Sequence, residues 1–90
     1  MKVRELLSDE TKWTQGTNAR DSEGKGVAAS SEEACSWCLI GAIFRCYGIE
    51  GSFRVEERVR LSLGSAITKW NDVSWRTFAE VKDLAGHLDI

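Results

Sequence analysis

The sequence predicts a small, mainly α-helical protein. It is expected to form a single domain, residues 1–90, built as a bundle of about four helices with a short hairpin-like or irregular insertion after the first helix. Three observations predict this class. A nearly continuous apolar stretch near residues 31–47 has the pattern of a buried central helix. Later segments place apolar residues three or four positions apart, on one helical face. Ninety residues, 42% hydrophobic and 29% charged, have the composition of one globular domain.

The first helix is short. Val3, Leu6 and Leu7 lie on one side of it, and the pattern predicts that it ends near Lys12. After it, glycine, asparagine, aspartate and serine replace the apolar periodicity as far as Ala29, which is typical of turns.

This irregular segment contains a predicted hairpin. Residues 21–24, Asp-Ser-Glu-Gly, have the composition of a tight turn. The flanking residues 17–20 and 25–28 are therefore predicted to pair as two short strands. A lone two-stranded ribbon is only marginally stable, so we expect this hairpin to pack against the helices.

The central helix follows. Ser30 and Glu33 have the spacing of a capping box, which predicts that the helix begins there. The small residues Gly41 and Ala42 in its middle predict the close approach of another element. Gly48 is placed to end it as a C-terminal cap.

A third helix is predicted to begin at Gly51 or Ser52 and to be bent or split in two at Gly64. Its apolar face comprises Val55, Val59, Leu63, Ala66, Ile67 and Trp70.

The third helix is predicted to end at Asn71-Asp72. Thr77 and Glu80 have capping-box spacing and predict the start of a fourth helix. The apolar stripe of this last helix comprises Phe78, Val81, Leu84 and Leu88.

Composition limits the classes of function. The net charge is −2 with both signs interleaved, which gives little attraction for DNA or RNA. Acidic residues interrupt the only basic positions that could form a face, namely Arg54, Arg58, Arg60, Lys69 and Arg76. No apolar run approaches the roughly 20 residues of a membrane span, and the first residues lack a signal-peptide pattern. Three cysteines fit a reducing compartment, so we expect a cytoplasmic protein.

The cysteines suggest a redox, zinc or nucleophilic thiol site, but their positions in the sequence do not favour any of these. Cys35 and Cys38 form a Cys-x-x-Cys pair, but no predicted strand precedes the helix as in redox proteins, and core packing is the simpler interpretation. On a continuous helix Cys46 lies about 12 Å beyond Cys38, too far to share one zinc ion. His87, as a base for a cysteine nucleophile, would lie on the final turns of the chain. We therefore expect no catalytic residue, metal or cofactor, and keep a thiol enzyme at Cys38 as a second alternative.

A polar cluster is the other candidate site. It comprises Gln15, Arg20 and Asp21 in the irregular segment, with Asn71 and Asp72 where two helices meet. In the structural interpretation, Asp21 fixes a turn, Asn71 or Asp72 caps a helix, and Arg20 pairs with a carboxylate. In the functional interpretation, Trp13 and Trp70 frame a notch in which Arg20 binds a small molecule or nucleotide.

Ordered motifs in residues 13–88 resemble a family of small bacterial and phage proteins classed as a domain of unknown function. The motifs are Trp13-Thr-Gln15-Gly16, Ala19-Arg20-Asp21 with Gly24, Trp37-Cys38-Leu39-x-Gly41-Ala42, Trp70-Asn71-Asp72 and Thr77-x-x-Glu80-Val81. In that family a histidine often follows the threonine of the last motif, and Phe78 stands there in this chain. The resemblance implies a phage or prophage setting but no reaction or ligand.

The leading hypothesis is a non-enzymatic protein-binding module. The resemblance implies a phage or prophage protein that binds and inhibits a host protein or complex, such as a defence complex in the manner of an anti-CRISPR protein, in the host cytoplasm. Four tryptophans in ninety residues motivate it, because exposed tryptophans are common interface anchors. A homodimer is also compatible with this pattern. The candidate contact residues are Trp13, Gln15, Arg20, Asp21, Trp70, Asn71, Asp72 and Trp75. The first alternative is the small-molecule or nucleotide binder described above.

Overall fold

A computed structural model describes all residues 1–90. Its elements in chain order are α1 (Val3–Leu6), a 3-10 turn (Glu10–Lys12), β1 (Ala19–Arg20), β2 (Gly26–Val27), β3 (Ser36–Trp37), α2 (Leu39–Leu63), α3 (Ile67–Asp72) and α4 (Phe78–His87). The predicted mainly α architecture with four helices is confirmed. None of the helices combines the length and apolar character that crossing a bilayer requires.

The predicted hairpin is present, and it belongs to a three-stranded antiparallel sheet with the order β2-β1-β3. Ala19 at the centre pairs with Val27 on one side and Trp37 on the other. The turn forms as its composition predicts, because the Asp21 carboxylate accepts hydrogen bonds from the backbone N–H groups of Glu23 and Lys25, both at 2.9 Å. The third strand was not predicted.

That third strand explains why the predicted start of the central helix is wrong. Ser31, not Ser30, accepts from the Glu33 N–H, which closes a local turn instead of a capping box. The Cys35 N–H then donates to the carbonyl of Arg20 at 2.8 Å, which aligns residues 35–37 with β1. Because strand pairing already satisfies this backbone, the helix begins only at Leu39.

Two glycines divide the helical half of the chain as predicted. Gly48, with φ +73° and ψ −179°, breaks α2 into a first arm (39–47) and a second arm (49–63). Gly64, with φ +68°, ends α2 in the left-handed region that glycine adopts without strain. The third predicted helix is therefore split, and α3 begins at Ile67.

The core is assembled from all these elements. Val3 and Leu7, both arms of α2, and Val81 and Ala85 of α4 contribute fully buried side chains. The sheet covers the start of α2 with Ala19 and Trp37.

The predicted capping box of α4 is present, with the Glu80 N–H donating to the Thr77 hydroxyl and the Thr77 N–H donating to the Glu80 carboxylate. Hydrogen bonds from Thr77 lower the pKa of Glu80.

Candidate functional site

Asn71 is the centre of the polar site that the sequence singles out, and it is fully buried. Its Oδ1 accepts hydrogen bonds from Trp13 Nε1 at 2.8 Å and from the backbone N–H of Leu39 at 3.1 Å. Its Nδ2 donates to the carbonyl of Thr14 at 3.2 Å and to Asp72 Oδ1 at 2.8 Å. An asparagine side chain has two donors and one accepting oxygen with two lone pairs, so all four are used.

Gln15 and Asp72 complete the connection between the loop after the 3-10 turn and the end of α3. Gln15 Nε2 donates to the carbonyls of Asn71 at 2.8 Å and Val73 at 3.0 Å. Helix-terminal carbonyls lack intrahelical partners, so Gln15 acts as a C-terminal cap supplied from elsewhere in the chain. Asp72 Oδ1 also accepts from the Gly16 N–H at 3.1 Å. We call these residues the Asn71 cluster: Trp13, Gln15, Gly16, Asn71 and Asp72.

Arg20 braces the same loop instead of pairing with a carboxylate. Its Nε donates to the Thr14 hydroxyl at 2.8 Å, and its two terminal nitrogens donate to the carbonyls of Gln15 and Gly24, both at 2.9 Å. The expected ion pair is absent because carbonyl and hydroxyl acceptors of the irregular segment surround the guanidinium. Each nitrogen of Arg20 is engaged within the chain.

The segments of the Asn71 cluster meet without leaving a concave site. Four surface cavities are present, and none is lined by Trp13, Gln15, Arg20, Asn71 or Asp72. Asp21 lies at an acidic cavity of about 380 Å³. Trp70 lies at a wide, open depression on the side of α4. The cluster is filled by its own hydrogen bonds, and no buried side-chain nitrogen or oxygen in the chain lacks a partner.

The loop between α3 and α4 is held from both ends. Arg76 lies over the Trp70 ring, 3.9 Å from its centroid, and donates to the Trp70 carbonyl and to Glu80, at 2.9 and 2.8 Å. Its N–H donates to the carbonyl of Val73, the residue that Gln15 also binds. Trp75 lies inside this braced loop with 73% of its surface exposed.

A family model described as a family of unknown function, DUF6197, matches residues 1–86. The chain belongs to this family. No curated protein and no solved structure matches the chain. Membership in DUF6197 brings no known reaction, ligand or partner.

In this DUF6197 protein the tryptophans have different environments. Trp37 is buried, donates from Nε1 to the Ala29 carbonyl at 3.0 Å and lies 5.3 Å from the Arg45 guanidinium. Trp13 and Trp70 are half-buried and held by Asn71 and Arg76. Trp75 alone is exposed.

Cys38 has a structural position that sequence reasoning missed. It is the N-cap of α2, and its Sγ accepts from the Gly41 N–H at 3.3 Å. Burial raises the pKa of the Cys38 thiol, which favours the protonated form over a nucleophilic thiolate. Cys35 is exposed and precedes the helix, so the two thiols do not share its first turn.

Gly41 explains why the start of α2 fits so closely against the sheet. A Cβ there would collide with the carbonyl oxygen of Asn18, which accepts from the Cys38 N–H at 3.1 Å. The predicted close approach is confirmed, and the neighbour is the backbone of Asn18 just before β1. The same spacing explains the N-cap of α2. Cys38 lies three residues before Gly41, which places its sulfur within reach of the Gly41 N–H. Cysteine is not among the usual N-cap residues.

Proposed function

We propose that this chain is a non-enzymatic protein-binding module whose principal contact residue is Trp75. The observation that carries the proposal is the exposure of Trp75, which is 73% exposed. Hydrogen bonds hold the residues on both sides of it, Val73 and Arg76. Tryptophan is enriched among residues that dominate binding energy at interfaces. When the backbone on both sides of a contact residue is already held, the loop loses less conformational freedom on binding, so more of the contact energy contributes to affinity.

The competing functions have less support. A small-molecule or nucleotide site at Arg20, Asp21, Asn71 and Asp72 needs free polar groups facing a cavity, whereas Arg20 and Asn71 already bind within the chain. A thiol enzyme at Cys38 needs an accessible thiolate, whereas this side chain is 2% exposed and its pKa is raised.

The thiol alternative has a direct test. With iodoacetamide at neutral pH, followed by mass spectrometry of native protein, we expect Cys35 to be labelled first because it is exposed. Cys38 should react at the rate of unfolding or opening, and should become reactive in urea. Rapid labelling of Cys38 in the native protein would instead favour the enzyme.

For the partner, we propose a host protein or protein complex, including a defence complex, met in the host cytoplasm by a phage or prophage protein. The support is the resemblance of the ordered motifs to small bacterial and phage proteins. Net charge −2 with mixed signs supports a protein partner over a nucleic acid.

The experiment is affinity capture from host lysate with tagged wild type, Trp75→Ala and Leu61→Ala. Leu61 is a matched control, because it is also apolar and 73% exposed. We expect wild type and Leu61→Ala to capture the same partner. Trp75→Ala should bind about thirtyfold more weakly, since a hot-spot residue contributes about 2 kcal/mol or more. Equal capture by all three proteins, or no partner with wild type, would contradict the proposal.

A further inference from the structure

Two surface cavities adjoin along α2 and share two residues. The first, of about 540 Å³, lies between the second arm of α2 and the start of α3; its residues are Ile40, Phe53, Glu56, Glu57, Arg60, Ala66 and Ile67. The second, of about 370 Å³, lies beside the end of β2; its residues are Asn18, Ala28, Ala29, Ser30, Ile40, Phe44 and Glu56. Because Ile40 and Glu56 line both, the two cavities lie side by side and share this wall, and we call the pair of cavities the Glu56 groove.

The groove is mostly apolar on both sides of Glu56. Phe53, 68% exposed, lies in the first cavity with Ile67, and Phe44 lies in the second. Large apolar side chains at a concave surface are typical of sites that bind peptide segments or ligands.

Glu56 itself has no partner in the chain. The ion pairs of the protein join Lys2 and Arg4 to Asp89, and Arg76 to Glu80. Glu56 is half-buried, and its carboxylate takes part in none of the hydrogen bonds of the fold. A lysine or arginine placed against this unpaired carboxylate would form a charge-assisted hydrogen bond with it. Arg60, on the rim of the first cavity, is exposed and makes no ion pair.

We propose that the Glu56 groove binds a segment of a partner protein that carries a lysine or arginine between two bulky apolar side chains. The apolar side chains occupy the two cavities, and the cation meets the Glu56 carboxylate between them. An amphipathic helix laid into an apolar groove is a common recognition mode with this arrangement. The carboxylates of Glu56 and Glu57 disfavour an anionic membrane surface as the occupant.

The groove is a second binding surface that rests on the proposed function. An experiment can contradict either the Trp75 contact or the groove without contradicting the other. Trp75 and the Asn71 cluster contribute no residue to the groove. Loss of binding in Trp75→Ala therefore tests the proposed function, whereas loss in a Glu56 variant tests the groove.

The probe is a displayed library of random 16-residue peptides, selected on wild type. We expect the enriched peptides to share a lysine or arginine flanked by bulky apolar residues. Their affinity should fall at least about tenfold for Glu56→Lys and by a smaller factor for Glu56→Gln, which keeps the side-chain volume. Glu10→Lys is the matched control. Glu10 is exposed and lines neither cavity, so the same charge change there should leave binding unchanged, as should Trp75→Ala.

Peptides without a basic residue, peptides insensitive to both Glu56 variants, or no enrichment over an unrelated immobilised protein would each overturn the proposal. Changes in the amide chemical shifts of isotopically labelled protein on adding the peptide show where the peptide binds. We expect the changes to centre on Ile40, Phe44, Phe53 and Glu56. If these same signals move with protein concentration alone and sedimentation gives a dimer, the occupant is a second copy of the chain and the proposal is wrong.

Discussion

The Asn71 cluster and the loop between α3 and α4 that carries Trp75 are neighbours in the chain, but they differ in whether their key side chain is buried or exposed. Asn71 is completely buried, and each of its side-chain hydrogen-bonding positions is used. Trp75, four residues later, has most of its surface in solvent. The comparison shows that the polar residues that look most like a binding site hold the fold together. The large side chain left exposed beside them is the apolar Trp75, which is the contact residue that we propose.

The two regions are also mechanically linked. Gln15 binds the carbonyls of both Asn71 and Val73, so the first residue of the loop is held by the cluster. Arg76 and the capping box of α4 hold its other end. A buried polar network of this kind stabilises one conformation only if it is fully satisfied, which is the case here.

The largest expected effect comes from Asn71→Ala. It leaves the buried Leu39 N–H and the part-buried Trp13 Nε1 and Thr14 carbonyl without their hydrogen-bond partner. Because each buried unsatisfied group costs about 1–3 kcal/mol, we expect a loss of about 3 kcal/mol or more in the free energy of unfolding, measured in urea. A loss below about 1 kcal/mol would show that the cluster is not structural. Asn71→Asp should lose at least as much, because it replaces the Nδ2 donor with a buried carboxylate oxygen that faces the Asp72 carboxylate and the Thr14 carbonyl.

The next effect tests the close approach of α2 to the sheet. Gly41→Ala places a Cβ against the Asn18 carbonyl, and the backbone has to move, so we expect a loss of about 2–3 kcal/mol. Gly86→Ala is the matched control, because Gly86 is helical with open space around it. It should gain about 0.5–1 kcal/mol from helix propensity. Thermal unfolding of both variants checks the prediction, and equal losses would contradict it.

A smaller effect comes from an exposed polar contact, in contrast to the buried cluster. Hydrogen bonds from Lys2 and Arg4 lower the pKa of Asp89 from 3.8 to about 2. The folded state therefore favours the carboxylate, and this stabilisation is complete above about pH 4 and is lost as the pH falls towards 2. Asp89→Asn should flatten that part of the stability profile only slightly, because the residue is exposed.

Much of the helical half could be predicted from sequence because its signals are local. The capping box at Thr77 and Glu80, and the breaks at Gly48 and Gly64, depend on residues within one turn. The start of the central helix could not be predicted this way. Ser30 and Glu33 have the correct spacing, but pairing of residues 35–37 with β1 determines the backbone there, and that partner lies about fifteen residues away. Tertiary contacts override local propensity in such cases.

The candidate site was predicted as a set of residues but not as an arrangement. The sequence correctly groups Gln15 with Asn71 and Asp72, and the structure joins them directly. It does not distinguish a pocket lined by these groups from a cluster filled by them, because that depends on a few ångströms between segments over fifty residues apart. Nor does it identify Trp75 as the exposed tryptophan, since Trp13, Trp70 and Trp75 are all flanked by polar residues along the chain.

The measurement that tests the central claim most directly compares stability and binding for Trp75→Ala in one preparation. Urea unfolding should give a free energy within about 0.5 kcal/mol of wild type, because surface substitutions away from structural contacts have effects of this size. Titration of the captured partner into the same sample should give an affinity about thirtyfold lower. A large loss of stability would show that Trp75 belongs to the fold, and an unchanged affinity would show that the partner binds elsewhere.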